Sequence, residues 1–383
     1  ANPPYADRWW PLRASAVRQA LREKKYDIAL KILSRHGDLN NENLADALFL
    51  KGWIRMEFKR DPRSGYKDFY ALYKMVETPV SKARAAYWAG RAAKKNGNHD
   101  IAVEWYQKAA KFSTVFYGQL AQHALNGNAP LSLPAMPTIT DAARQKMESK
   151  EVAQALADMP SSDTRSLQLV FLKALVEHAS GAEEMAAIAE LAQKTSGTSA
   201  AVKVAKWALR QQVTLIEPGW PRLDLPDSLG VEPDLALAIT RQESEFDSNA
   251  RSSADARGLM QLLPATGAHV AKKLGQICKP NDLWEPERNV TLGGYYLGSL
   301  IKGFDGSYIL GIASYNAGPS NVRSWIARSG TPPHDEEGAI DWVESIPYAE
   351  TRNYVMRVLE NLQIYRALRD ANQPLSIAKD VAR

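Results

Sequence analysis

Through residues 1 to about 215, apolar side chains recur at three- and four-residue steps, and no stretch alternates as a half-buried strand would. Such a chain buries its apolar stripes by packing helix on helix, so the predicted fold class is all-α. Three segments look like related units: Tyr26-Asp-Ile-Ala-Leu-Lys-Ile-Leu33, Tyr66-Lys-Asp-Phe-Tyr-Ala-Leu72 and His99-Asp-Ile-Ala-Val-Glu-Trp-Tyr106. Their leading residues lie 40 and 33 positions apart, a spacing that fits stacked helical hairpins in a superhelical solenoid. The alanine-rich run from Ala83 to Ala93 reads as the small-residue face of one helix, with Gly97-Asn-His99 as its turn. Trp9, Trp10, Trp53, Trp88, Trp105 and Trp207 all fall in this half and are expected in its core. Standing alone, this half would fit a generic protein-binding repeat array equally well.

Three prolines and a glycine interrupt the pattern in Ile216-Glu-Pro-Gly-Trp-Pro-Arg-Leu-Asp-Leu-Pro226. The division drawn there makes residues 1–215 a helical-repeat domain and residues 216–383 a second, helical domain. Pro233 and Asp234 suit the first turn of a helix, where proline costs nothing and a negative charge meets the dipole. Leu235, Ala238, Ile239, Gln242 and Phe246 then mark one buried face, and Glu243, four residues after Ile239, borders it. Burial disfavours a charged carboxyl group, so Glu243 is expected to hold its proton near neutral pH and to suit general acid catalysis. Taken alone, a surface glutamate closing a helix is the plainer reading. Glu245 and Asp247 read as solvated charges.

Three further motifs follow. Arg251-Ser-Ser-Ala-Asp-Ala-Arg-Gly258 is a polar turn whose glycine suits close backbone approach, and Leu259-Met-Gln-Leu-Leu-Pro264 is apolar except for Gln261. That amide must find partners or face a ligand. Ser314-Tyr-Asn-Ala-Gly-Pro319 ends an apolar helix that starts near Ser307, with Gly318 as C-cap and Pro319 as a stop. Tyr315 and Asn316 either satisfy each other or project into a sugar site. Ser329 to Gly338 reads as a cleft-side loop, and Glu344-Ser-Ile-Pro-Tyr-Ala-Glu-Thr-Arg-Asn-Tyr354 as a polar loop opening another amphipathic helix. Glu350 precedes a Thr-Arg-Asn run that equally fits ordinary helix-start capping.

Glu-Ser, Gly-Leu-Met-Gln, Tyr-Asn-Ala-Gly and Ile-Pro-x-x-Glu-Thr-Arg-x-Tyr, in this order between Glu243 and Tyr354, resemble the catalytic domain of the soluble lytic murein transglycosylases. Ser113 to Ala121 also resembles that family's helical superstructure. The resemblance implies a goose-lysozyme-like catalytic domain behind the superhelical one. It implies a peptidoglycan-cleaving enzyme that breaks the β-1,4 bond between N-acetylmuramic acid and N-acetylglucosamine and closes a 1,6-anhydro ring. It makes Glu243 the single catalytic acid and base, helped by the substrate's own N-acetyl group. Ser252, Gln261, Tyr315, Asn316 and Glu350 are implied substrate-binding or supporting residues. Two positions depart from the family pattern: Asp255 where glycine is frequent, and Leu263 where methionine is frequent. The nearest rival is a hydrolytic, lysozyme-type muramidase on the same fold. The rival of another class is a scaffold that binds glycan without cutting it.

Composition adds little. A net charge of +5 with a pI near 9.0 favours an anionic polymer such as the cell wall, and no nucleic-acid-binding motif accompanies it. No apolar run is long enough to span a membrane. One cysteine, Cys278, excludes an internal disulfide, and the six histidines show no metal-ligand spacing, so no cofactor and no metal are expected. Ala1-Asn-Pro-Pro is not a signal peptide, so a periplasmic location is implied by the family alone. Family members often carry a longer helical region ahead of the part seen here, which implies a truncated or processed form. Glycan strands are the implied partner, with cell-wall proteins as further partners of the solenoid.

Overall fold

The computed structural model describes residues 5–159, 164–226 and 228–383 of the chain, so the Ala1-Asn-Pro-Pro segment lies outside the described residues. Among them are 21 α-helices and no β-strand, only isolated bridges. Contacts divide the chain into two compact units that interleave along the sequence. The first comprises residues 1–131, 306–360 and 372–383, the second residues 132–305 and 361–371. The proline-rich stretch at 216–226 therefore falls inside the second unit, while the division near 131 lies in a stretch of the same kind, with Gly127, Pro130, Pro134 and Pro137, that the sequence reading passed over.

The first unit is built on consecutive helices over Asn41–Trp53, Pro62–Met75, Pro79–Lys95, His99–Ala110 and Phe116–Asn126. The same device starts two of them. Asp61 accepts from Ser64 N–H and Thr78 from Ser81 N–H, each followed by proline at the first helical position. Small residues let these helices close on aromatic ones. A Cβ on Gly52 would lie 2.8 Å from the Phe69 ring, and one on Gly90 would lie 2.7 Å from the Tyr106 ring. Trp88 fills the centre, edge-on to Phe49 at 5.4 Å between centroids. Trp10, Trp53, Trp88 and Trp105 are core residues as expected, whereas Trp9 is 53% exposed; it neighbours Trp10 on the helix Ala6–Arg22 and so points to a different side.

The second unit packs the helices Asp141–Glu148, Glu151–Asp158, Arg165–Glu177, Ala182–Ser196 and Thr198–Arg210 around Leu156, Leu172, Val176, Ile188 and Val204. It continues through Pro233–Ser244, Pro264–Lys273 and Pro286–Lys302. Each of these three helices again has proline at its start. The helix Pro233–Ser244 was expected to bury one face, but every residue from Asp234 to Arg241 is buried. Its sequence is apolar on all sides from Leu235 to Ile239, which is the signature of a helix surrounded by others.

Candidate active site

Glu243 is half-buried on the last turn of the helix Pro233–Ser244. Three polar anchors fix that helix within its unit. Asp234, at its start, accepts from Arg369 Nε at 2.7 Å. Arg241 donates to Gly219 O at 2.6 Å and to Asn361 Oδ1 at 3.1 Å, with its guanidinium 4.2 Å from the Trp220 ring centre. Ser244 donates to Leu259 O at 2.7 Å, which ties the end of the helix to the Gly-Leu-Met-Gln segment.

The chain then reverses through two consecutive left-handed residues, Glu245 at φ 52° and Phe246 at φ 64°. Neither is glycine, and each such residue costs about 1 kcal/mol or more. Neighbouring charges hold the turn. Glu245 is paired with Lys203 at 2.7 Å and with Lys206. Burial alone would push its carboxyl up, but Lys206 and Lys203 hold it below the usual carboxylate range. Asp247 forms a two-pronged pair with Arg165, both contacts at 3.0 Å. Neither acid is the solvated charge the sequence suggested, because lysines and an arginine from the helices Thr198–Arg210 and Arg165–Glu177 reach them.

Beyond this turn, Arg257 and Leu262 exchange backbone hydrogen bonds at 2.9 and 3.1 Å around a four-residue loop. Gly258 sits at φ 73°, and a Cβ there would lie 2.3 Å from Leu283 O. Gln261, at φ 49°, donates both amide hydrogens to backbone carbonyls, Ala250 O and Gly258 O, at 2.8 Å each. Only its carbonyl oxygen remains to offer a ligand. Ser252 is exposed, and its hydroxyl accepts from Ala256 N–H at 3.0 Å. Asp255 adopts φ 65°, the left-handed region that favours glycine and tolerates aspartate. Its carboxylate meets Arg257 and Arg251, which hold it below the usual carboxylate range.

Tyr315, Asn316 and Glu350 belong to the first unit, whereas Glu243, Ser252 and Gln261 belong to the second. Tyr315 and Asn316 are half-buried on the last turn of Tyr308–Ala317. Gly318 closes that helix at φ 83°, and Pro319 opens the next one instead of ending helical structure. Asn316 accepts a 2.6 Å hydrogen bond from Thr351, so the Tyr-Asn-Ala-Gly and Glu-Thr-Arg motifs are directly joined. Glu350 is exposed, the second residue of the helix Ala349–Arg369. The expected loop over Ser329 to Gly338 ends early, because Asp335 caps a helix from Glu336 to Ser345.

Glu344 corrects the polar-loop expectation more sharply. It lies on that helix, fully buried. Arg84 donates to it through two nitrogens, at 3.0 and 2.6 Å, Arg352 stands 3.7 Å away, and the Tyr117 hydroxyl donates to it. Burial pushes this carboxyl up, but Arg84, Arg352 and Tyr117 together hold it below the usual range. A cavity of about 820 Å³ nearby, lined among others by Trp10, Arg84 and Arg352, includes none of the six predicted site residues.

A family model described as the transglycosylase SLT domain matches residues 226–337, and one described as the soluble lytic transglycosylase helical domain matches residues 345–374. The soluble lytic murein transglycosylase of Salmonella typhimurium is 34% identical over 175 residues, covering 42% of this chain and 26% of that protein. A putative soluble lytic murein transglycosylase of Haemophilus influenzae is 29% identical over 275 residues, covering 68% of this chain and 43% of that protein. The crystal structure of an inactive mutant of lytic transglycosylase Slt from Pseudomonas aeruginosa superposes with a TM-score of 0.73 at 25% identity, covering 97% of this chain and 59% of that one. The chain thus carries a match to the transglycosylase SLT domain and resembles the soluble lytic murein transglycosylases. It spans less than half the length of these curated relatives. The 70 kDa soluble lytic transglycosylase of Escherichia coli, at 22% identity, shares the fold with a TM-score of 0.61 over 95% of this chain.

In this lytic transglycosylase relative, the most important residue that sequence reading passed over is Asn289. It is fully buried on the helix Pro286–Lys302. It accepts from Met260 N–H at 2.7 Å and donates to Arg257 O and Leu283 O at 2.8 Å each. One side chain thus satisfies three backbone groups around Gly258. The available signal was an asparagine next to Val290 on an otherwise apolar helix face, a position where an amide is retained only if its hydrogen bonds are met.

Proposed function

We propose that this chain is a peptidoglycan lytic transglycosylase. Its substrate would be the β-1,4 bond between N-acetylmuramic acid and N-acetylglucosamine, with Glu243 as the single acid and base. The observation that carries the reading is the arrangement of acids after the helix Pro233–Ser244. Glu245 and Asp247 are each committed to cations, so neither neighbour is available as the second carboxylate of a two-acid mechanism. Most glycosidases need two carboxylates flanking the bond. With one, the substrate's own O6 hydroxyl can serve as the nucleophile in place of water. The Glu243 carboxyl gives its proton to the leaving oxygen as the C1–O4 bond breaks, and the N-acetyl group stabilises the cationic C1. The O6 hydroxyl then bonds to C1 and returns its proton to Glu243. A held internal nucleophile has a large entropic advantage over water.

Ser252 and Gln261 are assigned to substrate positioning, Gln261 through its remaining carbonyl oxygen. The assignment of Tyr315, Asn316 and Glu350 to substrate binding rests on their motifs. The proposed catalytic domain spans residues 216–383, with the helical repeats before it, and the proposed location is the periplasm. An inactive mutant of the Pseudomonas aeruginosa relative fits a catalytic role for this fold.

The test is mass spectrometry of muropeptides released from purified peptidoglycan, beside a Glu243→Gln control. Products one water lighter than hydrolysis products, absent with the variant, are expected. Full-mass reducing ends would make the chain a muramidase. No release by a folded parent protein would leave a glycan-binding scaffold, or an enzyme that needs a further segment or partner.

A further inference from the structure

A second polar pocket, about 380 Å³, lies within the first unit beside the loop that precedes Glu350. Arg18, Arg22 and Arg328 converge on it, with Ser324, Trp325 and Tyr348 completing much of the wall, and no aspartate or glutamate among the described residues lines it. Arg18 is 7% exposed. Its Nη1 donates to Glu344 O at 2.7 Å, while its buried Nη2 has no hydrogen-bond acceptor. The acids around the pocket are already engaged. Glu344 serves Arg84, Arg352 and Tyr117, Glu23 pairs with Lys25, and Asp46 accepts from Trp10. Burial, and then the like charge of Arg352, lower Arg18 to about 9, so it still carries its charge at neutral pH. Burial, and then Arg328, also lower Arg22. Arg22 and Arg328 each stand at the end of a helix, where a cation meets the last carbonyls. That explains each separately but not their convergence on a buried guanidinium with an unmet donor.

We propose that this pocket binds an oxyanion, a carboxylate or phosphate group carried by a ligand whose body rests against the half-exposed ring of Tyr348. Guanidinium forks match both groups through paired charge-assisted hydrogen bonds. The inference does not depend on the function proposed above.

Calorimetric titration of the full chain at low ionic strength would test it, because exposed charges are screened at higher salt. The probes are inorganic phosphate, N-acetylalanine and N-acetylalaninamide. Saturable binding of phosphate or of N-acetylalanine is expected, with the amide inert. Binding of N-acetylalanine alone would identify a peptide carboxylate as the group recognised, and phosphate alone a phosphate. The Arg22→Gln/Arg328→Gln double variant should weaken binding about tenfold or more, while Lys272→Gln/Lys273→Gln, which removes the same charge elsewhere, should not. Arg18→Gln should abolish binding; if it fails to fold, the exposed pair decides. Absence of saturable binding, equal binding of the amide, or equal loss in the lysine control would overturn the proposal.

Discussion

The loop around Gly258 and the turn that precedes Glu350 are held by opposite chemistry. Around Gly258, neutral side chains bond to backbone: Asn289, Gln261 and Ser244 meet six backbone groups between them, five carbonyls and one N–H. Around Ile346, a buried carboxylate is shared by arginines: Arg84 and Arg352 meet Glu344, and Arg352 also donates to Ile346 O at 2.8 Å. The first device is indifferent to pH over the physiological range. The second depends on charges staying paired, since taking ions from water is costly and loss of one partner strands the other. It also makes the segment 346–352 depend on Arg84, a residue of the helical repeats more than 250 positions away in sequence.

The largest expected effect separates the two turns by what they present. Glu243→Gln should lower muropeptide release by roughly 100- to 10,000-fold, whereas Glu350→Gln should keep measurable turnover with a raised KM; equal loss in both would remove the distinction between acid and supporting residue. Next, Glu344→Ala should cost about 3–5 kcal/mol in urea unfolding, because Arg84 and Arg352 lose their partner. Asn289→Ala should cost less, about 2–3 kcal/mol, for backbone groups left unmet. If Asn289→Ala proves the worse of the two, the ionic turn is not the more fragile.

A pH series sharpens the contrast inside one helix. Asp341 and Glu344 both lie on Glu336–Ser345, yet burial, reinforced by Glu57, raises Asp341 to about 6 despite Arg91, while Glu344 is held low. A carboxyl raised in the folded state binds more protons there, so its contribution to stability falls as pH rises from near 4 to near 6. Glu344 has the opposite sign: its contribution is present above the usual carboxylate pKa and is lost as pH falls below it. Asp341→Asn should therefore flatten the decline between pH 4 and 6, seen in urea midpoints, and leave the acid limb in place. The smallest effect is expected for Tyr117→Phe, about 1 kcal/mol for one hydrogen bond to Glu344.

Helix type, the proline-led helix start at Pro233 and the four motifs were legible because they are local. Periodicity reports a helix, proline and a capping side chain report its first turn, and a motif is a run of adjacent residues. Even the left-handed turn at Asp255 was foreshadowed by the family's preference for glycine at that position. Partners of charges were not legible. Glu245 and Asp247 look solvated until Lys203, Lys206 and Arg165 arrive from other helices, and Glu344 looks like a loop residue until Arg84 reaches it. The interleaving of the two units follows from the same cause. The sequence by itself determined that this chain is helical and which motifs it carries. Only the tertiary structure decided which carboxylates are spent on cations, because the field around an ionisable group is set by neighbours in space and not by neighbours in sequence.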